Sequence, residues 1–220
     1  MHALERLIDG FQKFQTQYFD ATPELFRSLQ EGQRPTTLLI GCCDSRVDPA
    51  LLLGIDPGEV FTVRNVANLV PPCDPSQHFA GVTSAIQFGV EQLQISRIII
   101  MGHARCGGIR ALMEQRFTGE NSYDYIGRWI RIAQPARERV LLQMPSATTE
   151  QQQQACEMGA ILVSLRNLAS YPWIRERMEQ GSLTVHGWYF DLKSGALLAY
   201  SERADAFLPL VCPVQTQVST

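Results

Sequence analysis

The sequence has no long apolar run, no basic cluster and no recognisable leader, and each absence excludes a class of protein. No apolar segment approaches the ~20 residues that a membrane-spanning helix needs. Lys and Arg number 19 against 22 Asp and Glu, which argues against a surface for nucleic acid or anionic lipid. The N-terminus lacks the apolar segment and small-residue cleavage site of a secretory signal peptide. We therefore expect a cytoplasmic protein.

The cysteines do not indicate a disulfide framework, although the chain has 6 of them, at positions 42, 43, 73, 106, 156 and 212. In a 220-residue chain without a secretory signal, metal binding or simple burial is the better interpretation. Hydrophobic residues make up 45% and charged residues 19%, which are ordinary globular values. We expect one domain over residues 1–220.

The order of apolar segments predicts an α/β fold with a mostly parallel central sheet flanked by helices. Three strands are predicted at Thr37–Gly41, Glu59–Val63 and Arg97–Gly102, and helical patterns separate them. Leu183–Leu192 and Ala196–Tyr200 then predict a C-terminal hairpin that extends the sheet. No repeat or linker divides the chain.

The two ends of the chain and one long helical segment complete this prediction. Residues 1–32 predict helices, the first with an apolar face that would pack on the domain's own core or on a second subunit. Residues 119–170 are predicted to be helical, with Thr149 and Gln152 forming a capping box. Residues 206–220 carry no charge and are expected to be a tail, either packed on a neighbour or loosely held.

Metal-ligating side chains follow two of the predicted strands. Cys42 follows the first strand, and His103-x-x-Cys106 follows the third. Parallel strands deliver their carboxyl ends to one crevice of the sheet. Zinc prefers thiolate and imidazole ligands, and catalytic zinc sites commonly use three of them. The spacing predicts that Cys42, His103 and Cys106 hold one Zn²⁺, although His-x-x-Cys alone is a weak signal.

Three motifs resemble those of the β-class carbonic anhydrases: Cys42–Val47, Arg64–Asn68 and Gly102–Gly108. The resemblance extends from the N-terminal helix to the terminal hairpin. It implies an α/β fold, self-association as a dimer or a multiple of dimers, and one zinc ion per chain. It also implies reversible hydration of carbon dioxide to bicarbonate and a proton by attack of zinc-bound hydroxide. One departure is Cys43, where the family usually has serine; the motif register favours Cys42 as the ligand.

The resemblance also implies roles for residues beside the metal. Asp44 would orient the hydroxide, and Arg46 would keep Asp44 ionised. In an alternative closed state of the family, the aspartate itself ligates zinc. Gln33 resembles a bicarbonate-binding glutamine of the plant-like type, and Leu39 replaces a tryptophan of the allosterically inhibited type, so the open, water-ligated form is expected. Gln33 is almost equally well explained as an ordinary polar residue.

A substrate pocket is implied by the same resemblance. Phe61, Val66 and Phe88 would line an apolar pocket for carbon dioxide, some of them across a dimer interface. The amide of Gly107 would contact the bound anion. Phe88 stands where a tyrosine is often found, which removes a hydroxyl from the rim of the pocket.

Several alternatives stay open at this point. Hydrolysis of carbon disulfide or carbonyl sulfide on the same fold would use the same ligands, and an inactive zinc-stabilised scaffold would keep the metal alone. Cys43 is expected to be a small buried residue. A purely structural ion pair is the alternative role for Asp44–Arg46, although an inactive scaffold would have no need of that pair. His78 is a candidate for carrying protons.

Overall fold

The computed structural model describes residues 3–74, 80–121 and 123–213, and His78 lies outside them. The chain divides into two compact units, Met1–Arg34 and Pro35–Thr220. In the described residues no helix is both long and apolar enough to cross a membrane.

The N-terminal unit consists of helices joined by an aromatic cluster. Helix α1 (Ala3–Gln15) continues into a π-helical turn (Thr16–Ala21), and α2 (Pro23–Leu29) follows. Phe14 and Phe26 pack edge to face with ring centroids 5.5 Å apart. The apolar face predicted for α1 is present and exposed; its side chains are Leu4, Leu7, Ile8 and Phe11.

The second unit is built on a six-stranded sheet in the order β2-β1-β3-β4-β5-β6. The strands are β1 (Thr37–Cys42), β2 (Val60–Asn65), β3 (Arg97–His103), β4 (Thr184–Phe190), β5 (Leu197–Ser201) and β6 (Ala206–Val211). Strands β2, β1, β3 and β4 are parallel, whereas β5 and β6 are antiparallel. The predicted α/β fold with a C-terminal extension of the sheet is confirmed.

Helices cover the sheet and connect its parallel strands. They are α3 (Pro49–Leu53), α4 (Ala80–Gln87) with a π turn (Phe88–Gln92), α5 (Gly107–Met113), α6 (Tyr125–Ile130), α7 (Gln134–Gln143), α8 (Thr149–Ser170) and α9 (Pro172–Glu179), and two 3₁₀ turns span Val66–Asn68 and Arg131–Ala133. Helix α8 packs against β3 and β4. Strands β1 and β3 are buried almost throughout, which explains their continuous apolar sequences.

Two local predictions were wrong. The capping box of α8 uses Thr148 and Gln151 instead of Thr149 and Gln152, because adjacent threonines each have a glutamine three residues later. The uncharged segment from residue 206 is not a tail throughout, because Ala206–Val211 pairs with β5. Pro209 weakens the strand pattern, yet proline is tolerated on an edge strand such as β6. Residues 214–220 lie outside the description.

Candidate metal centre

Three side chains that can bind a metal converge at the carboxyl ends of β1 and β3. The Sγ atoms of Cys42 and Cys106 and a ring nitrogen of His103 lie within 4.8 Å of one another. All three residues are buried, with at most 4% of their surface exposed. The structure therefore brings together the ligand set expected from the sequence.

His103 and Cys106 lie 61 and 64 positions after Cys42 in the chain, and the sheet explains how the three residues meet. Strands β1 and β3 are adjacent and parallel, and Gly41 pairs with Met101 one residue before β1 ends. Cys42 ends β1 and His103 ends β3, so both side chains reach the same edge. Cys106 follows after a turn in which Arg105 has φ of 58°, and it is the N-cap residue of α5.

The geometry of His103 fits a metal ligand. Its Nδ1 lies 2.9 Å from the carbonyl oxygen of Ala104, which can only accept, so Nδ1 carries the hydrogen. The other nitrogen, Nε2, is buried and has no hydrogen-bond partner among the described residues. An imidazole whose Nε2 is left without a partner in the described part of the chain, beside two thiols, matches the three-ligand zinc sites that leave one position open.

The two thiols also differ in acidity. The contact with the Cys106 thiol lowers the pKa of Cys42 below its usual value, against the opposing effect of burial. The same contact, together with burial, raises the pKa of Cys106 well above its usual range. The pair therefore favours a single negative charge, and a bound cation would be needed to hold both thiols ionised.

Asp44 lies beside the three ligands and is held by Arg46. Its Oδ1 accepts from the Arg46 backbone N–H at 3.0 Å and from Nε at 2.9 Å, and its Oδ2 accepts from Nη2 at 2.6 Å. These bonds hold the pKa of Asp44 well below its usual range. Asp44 Oδ2 lies 4.0 Å from His103 Nε2. An ionised carboxylate thus faces the position that the ligands enclose.

Arg64 fixes the loop that carries Cys42 and Asp44, and sequence reasoning gave it no role in the site. Its Nε donates to the Cys42 carbonyl oxygen at 3.0 Å, and its Nη2 donates to the Asp44 carbonyl oxygen at 2.8 Å. Its Nη1 also pairs with Asp48 Oδ2 at 2.6 Å. The only signal for this role was the place of Arg64 in the motif at the end of β2.

The structure places the predicted pocket residues in two separate locations. Val66 packs in the same buried cluster as Cys42 and Cys106. Phe61 and Phe88 contact each other with centroids 5.9 Å apart, but they are not with the ligands, since Phe61 pairs with Leu38, four residues before Cys42 on β1. That separation is about 13 Å along the strand.

Three further residues of the predicted site have defined surroundings. A Cβ at Gly107 would meet nothing within 4 Å, whereas one at Gly108 would lie 2.7 Å from Val66 Cγ1. Close packing thus explains Gly108 but not Gly107. Gln33 belongs to the N-terminal unit and is exposed there. Cys43 is exposed, so the expectation that it is buried was wrong.

Comparison with known proteins identifies the family. The family model described as "Carbonic anhydrase" matches residues 37–197. Beta carbonic anhydrase 3 of Arabidopsis thaliana is 38% identical over 196 residues, covering 89% of this chain and 76% of the relative. The mitochondrial beta carbonic anhydrase 6 of the same plant is 40% identical over 197 residues, covering 88% and 66% of the two chains.

Solved structures agree with these sequence matches. The β-carbonic anhydrase CcaA superposes with a TM-score of 0.87 at 33% identity, covering 94% of this chain and 91% of that one. CafA of Aspergillus fumigatus gives 0.76 at 29% identity, with 89% of each chain covered. The chain therefore belongs to the β-class carbonic anhydrases, zinc enzymes that reversibly hydrate carbon dioxide to bicarbonate and a proton.

Proposed function

We propose that this chain hydrates carbon dioxide with one zinc ion held by Cys42, His103 and Cys106. The observation that carries the proposal is the buried pair of thiols and free imidazole nitrogen beside an ionised carboxylate. Zinc bound there would supply a Lewis acid that makes water nucleophilic near neutral pH. The remaining tasks are to orient the nucleophile, bind the substrate and keep bulk water out, and these fall to the residues of the chain.

Asp44 is the proposed orienting group. Because Arg46 engages both of its oxygens, the carboxylate stays ionised and can only accept hydrogen bonds. It would accept the hydrogen of the attacking oxygen and so direct a lone pair at carbon dioxide. Arg46 in turn is fixed by a bond from Nη2 to the Arg105 carbonyl oxygen at 3.1 Å. Asp44 is a catalytic residue in this account, and Arg46 positions it.

The same ion pair supports the open, plant-like form of the site. If Asp44 ligated the metal itself, its bidentate pair with Arg46 would have to break. The pair is formed here, with three hydrogen bonds between the two residues. Leu39, a buried residue of β1, supports the same form by resemblance, because the allosterically inhibited type has a tryptophan at this position. The resting state we propose therefore has its fourth ligand position available to water.

The proposed substrate pocket draws on more than one chain. Val66 packs in the same buried cluster as Cys42 and Cys106, and Gly107 is exposed, which leaves its amide accessible to an anion. Phe61 and Phe88 lie away from the ligands of their own chain, and Phe88 is 47% exposed. We place them in the pocket of a neighbouring subunit. Gln33 is the proposed group that binds bicarbonate.

This arrangement requires self-association, which we propose as a dimer or a multiple of dimers. The exposed apolar face of α1 would be covered by the second subunit. A structural neighbour described as a tetrameric β-carbonic anhydrase from Sordaria macrospora, with a TM-score of 0.72 at 25% identity, supports assembly of this kind. We further propose a single functional domain over 1–220 and a cytoplasmic role in carbon utilisation.

The test is stopped-flow hydration of carbon dioxide by the full chain, with its zinc content measured on the same sample. We expect rapid turnover and one zinc per chain. Hydrolysis of carbon disulfide and carbonyl sulfide is measured in parallel. One bound zinc without carbon dioxide turnover would contradict the proposal, and turnover of the sulfur compounds alone would replace it with the hydrolase alternative.

A further inference from the structure

A buried carboxylate lies behind the metal centre and has no part in the chemistry described above. Glu157 on α8 is only 2% exposed. Glutamate is almost never buried this deeply unless partners compensate for the loss of water. The partners of Glu157 therefore indicate what it does.

Three donors satisfy this carboxylate. Oε1 accepts from the backbone N–H of Cys106 at 2.9 Å and from Gln153 Nε2 at 2.8 Å. Oε2 accepts from the hydroxyl of Tyr189 at 2.8 Å. Gln153 lies one helical turn before Glu157, and Tyr189 is a fully buried residue of β4. The carboxylate thus connects α8, the sheet and the loop that carries a predicted zinc ligand.

The rest of that loop is also anchored, by other means. The Ala104 N–H donates to the Phe190 carbonyl oxygen at 2.9 Å, which continues the β3–β4 pairing. The Arg105 carbonyl oxygen accepts from Arg46 Nη2. At the Cys106 amide the anchor is Glu157, a side chain 51 residues further along the chain.

We infer that Glu157 is a positioning residue for Cys106. Once φ is set, the direction of the N–H determines that of the Cα–Cβ bond, and Cys106 has φ of −65° at the start of α5. Holding the amide therefore restricts the directions in which Sγ can point. Here Sγ points at Cys42 and His103. The inference rests on the proposed function, since it takes Cys106 to be a zinc ligand. Groups that orient a ligand in this way typically contribute about 10- to 100-fold to metal affinity.

Three substitutions separate positioning from simple support of the core. Glu157→Met keeps the length of the side chain and removes the acceptor. Glu157→Gln keeps an oxygen for the Cys106 N–H, and its NH₂ group can donate to the Tyr189 oxygen. Tyr189→Phe is the matched control, because it removes a buried partner of the same carboxylate and leaves the Cys106 contact in place.

The measurement is the rate at which each zinc-loaded chain releases the metal to an excess of chelator, with the melting temperature recorded in parallel. We expect release about 10- to 100-fold faster in Glu157→Met, and rates near wild type in Glu157→Gln and Tyr189→Phe. A wild-type rate in Glu157→Met would overturn the inference. Equal acceleration in Glu157→Met and Tyr189→Phe, following their melting temperatures, would also overturn it.

A second measurement tests the same inference without the Glu157→Met variant, so it can be used if that variant does not fold. Residue-resolved hydrogen exchange in the wild-type chain without metal should show a protected Cys106 amide, and Glu157→Gln should retain that protection. Exchange at the rate of an unprotected loop would refute the role of Glu157. Failure of the proposed function is a separate result: the wild-type chain would then bind no zinc, or would bind it without carbon dioxide turnover, whatever the exchange rate of this amide.

Discussion

Asp44 is the residue on which the proposed chemistry depends most, because it is the ionised group facing the space that the three ligands enclose. Its charge is secured locally by Arg46, and its backbone is secured by Arg64. Neither arginine is a metal ligand. In the proposed mechanism, the orientation of the nucleophile is therefore determined by a small network of charge-assisted hydrogen bonds.

Replacing Asp44 with Asn should lower turnover while leaving the metal in place. The amide cannot act as an acceptor on both sides, so the hydrogen bond to the nucleophile is weakened or reversed. We expect kcat for carbon dioxide hydration to fall by about 100-fold or more, with zinc content near one per chain. Asp56→Asn, at an exposed position of the turn after α3, is the matched control. Wild-type kcat in Asp44→Asn would remove Asp44 from the mechanism.

At the residue scale, the sequence predicted the groups that follow strands, and it predicted Arg46 as the partner of Asp44. It did not predict the groups from distant segments that hold them. Cys42, His103, Cys106 and Asp44 could be found because each lies within a few residues of a strand end. The contact of Arg64 with the Cys42 carbonyl oxygen and that of Glu157 with the Cys106 amide join distant segments. No local pattern encodes such contacts.

At the scale of elements, the parallel order of β2, β1, β3 and β4 does most to create the site. It places the ends of β1 and β3 side by side, and the glycine at position 108 allows α5 to approach the turn after β2. This arrangement was predictable, because buried strands alternating with helices favour a parallel sheet. Strand β6 was not, because its proline and its lack of polar alternation resemble a tail.

The capping box of α8 provides a test at this scale. Thr148 Oγ1 accepts from the Gln151 N–H at 3.2 Å, and the Gln151 side chain accepts from the Thr148 N–H at 2.9 Å. Thr148→Ala should destabilise the chain by about 1 kcal/mol, or roughly 2–4 °C in melting temperature.

The neighbouring threonine gives the control for this prediction. Thr149→Ala, at an exposed position inside the helix, should change stability by no more than about 0.5 kcal/mol. Thermal unfolding of both variants decides between the two registers of the cap. A larger loss in Thr149→Ala than in Thr148→Ala would show that the register in the structure is wrong.

At the scale of the whole molecule, the apolar face of α1 is the surface for which a partner has yet to be identified. Its leucines, isoleucine and phenylalanine are between 52% and 66% exposed in one chain. A contiguous apolar face of this kind normally has a partner. The amphipathic pattern was evident in the sequence, but a single chain carries no information about which surface covers it.

Charge on that face should therefore reduce assembly. We expect Phe11→Glu to shift the chain toward the mass of a single subunit in light scattering, because the apolar contact would bury an unpaired carboxylate. Lys13→Glu, at an exposed position in the last turn of the same helix, adds negative charge outside the apolar face and should leave the mass unchanged. An unchanged mass in Phe11→Glu would assign the interface to another surface.

The central claim is that Cys42, with His103 and Cys106, holds the catalytic zinc. The adjacent cysteines test it most directly, since Cys42 is buried with the other ligands and Cys43 is exposed. Zinc content and carbon dioxide hydration are measured for Cys42→Ser and Cys43→Ser under the same conditions. We predict that Cys43→Ser keeps one zinc per chain and full turnover, whereas Cys42→Ser loses both. Loss of zinc in Cys43→Ser with retention in Cys42→Ser would contradict the account.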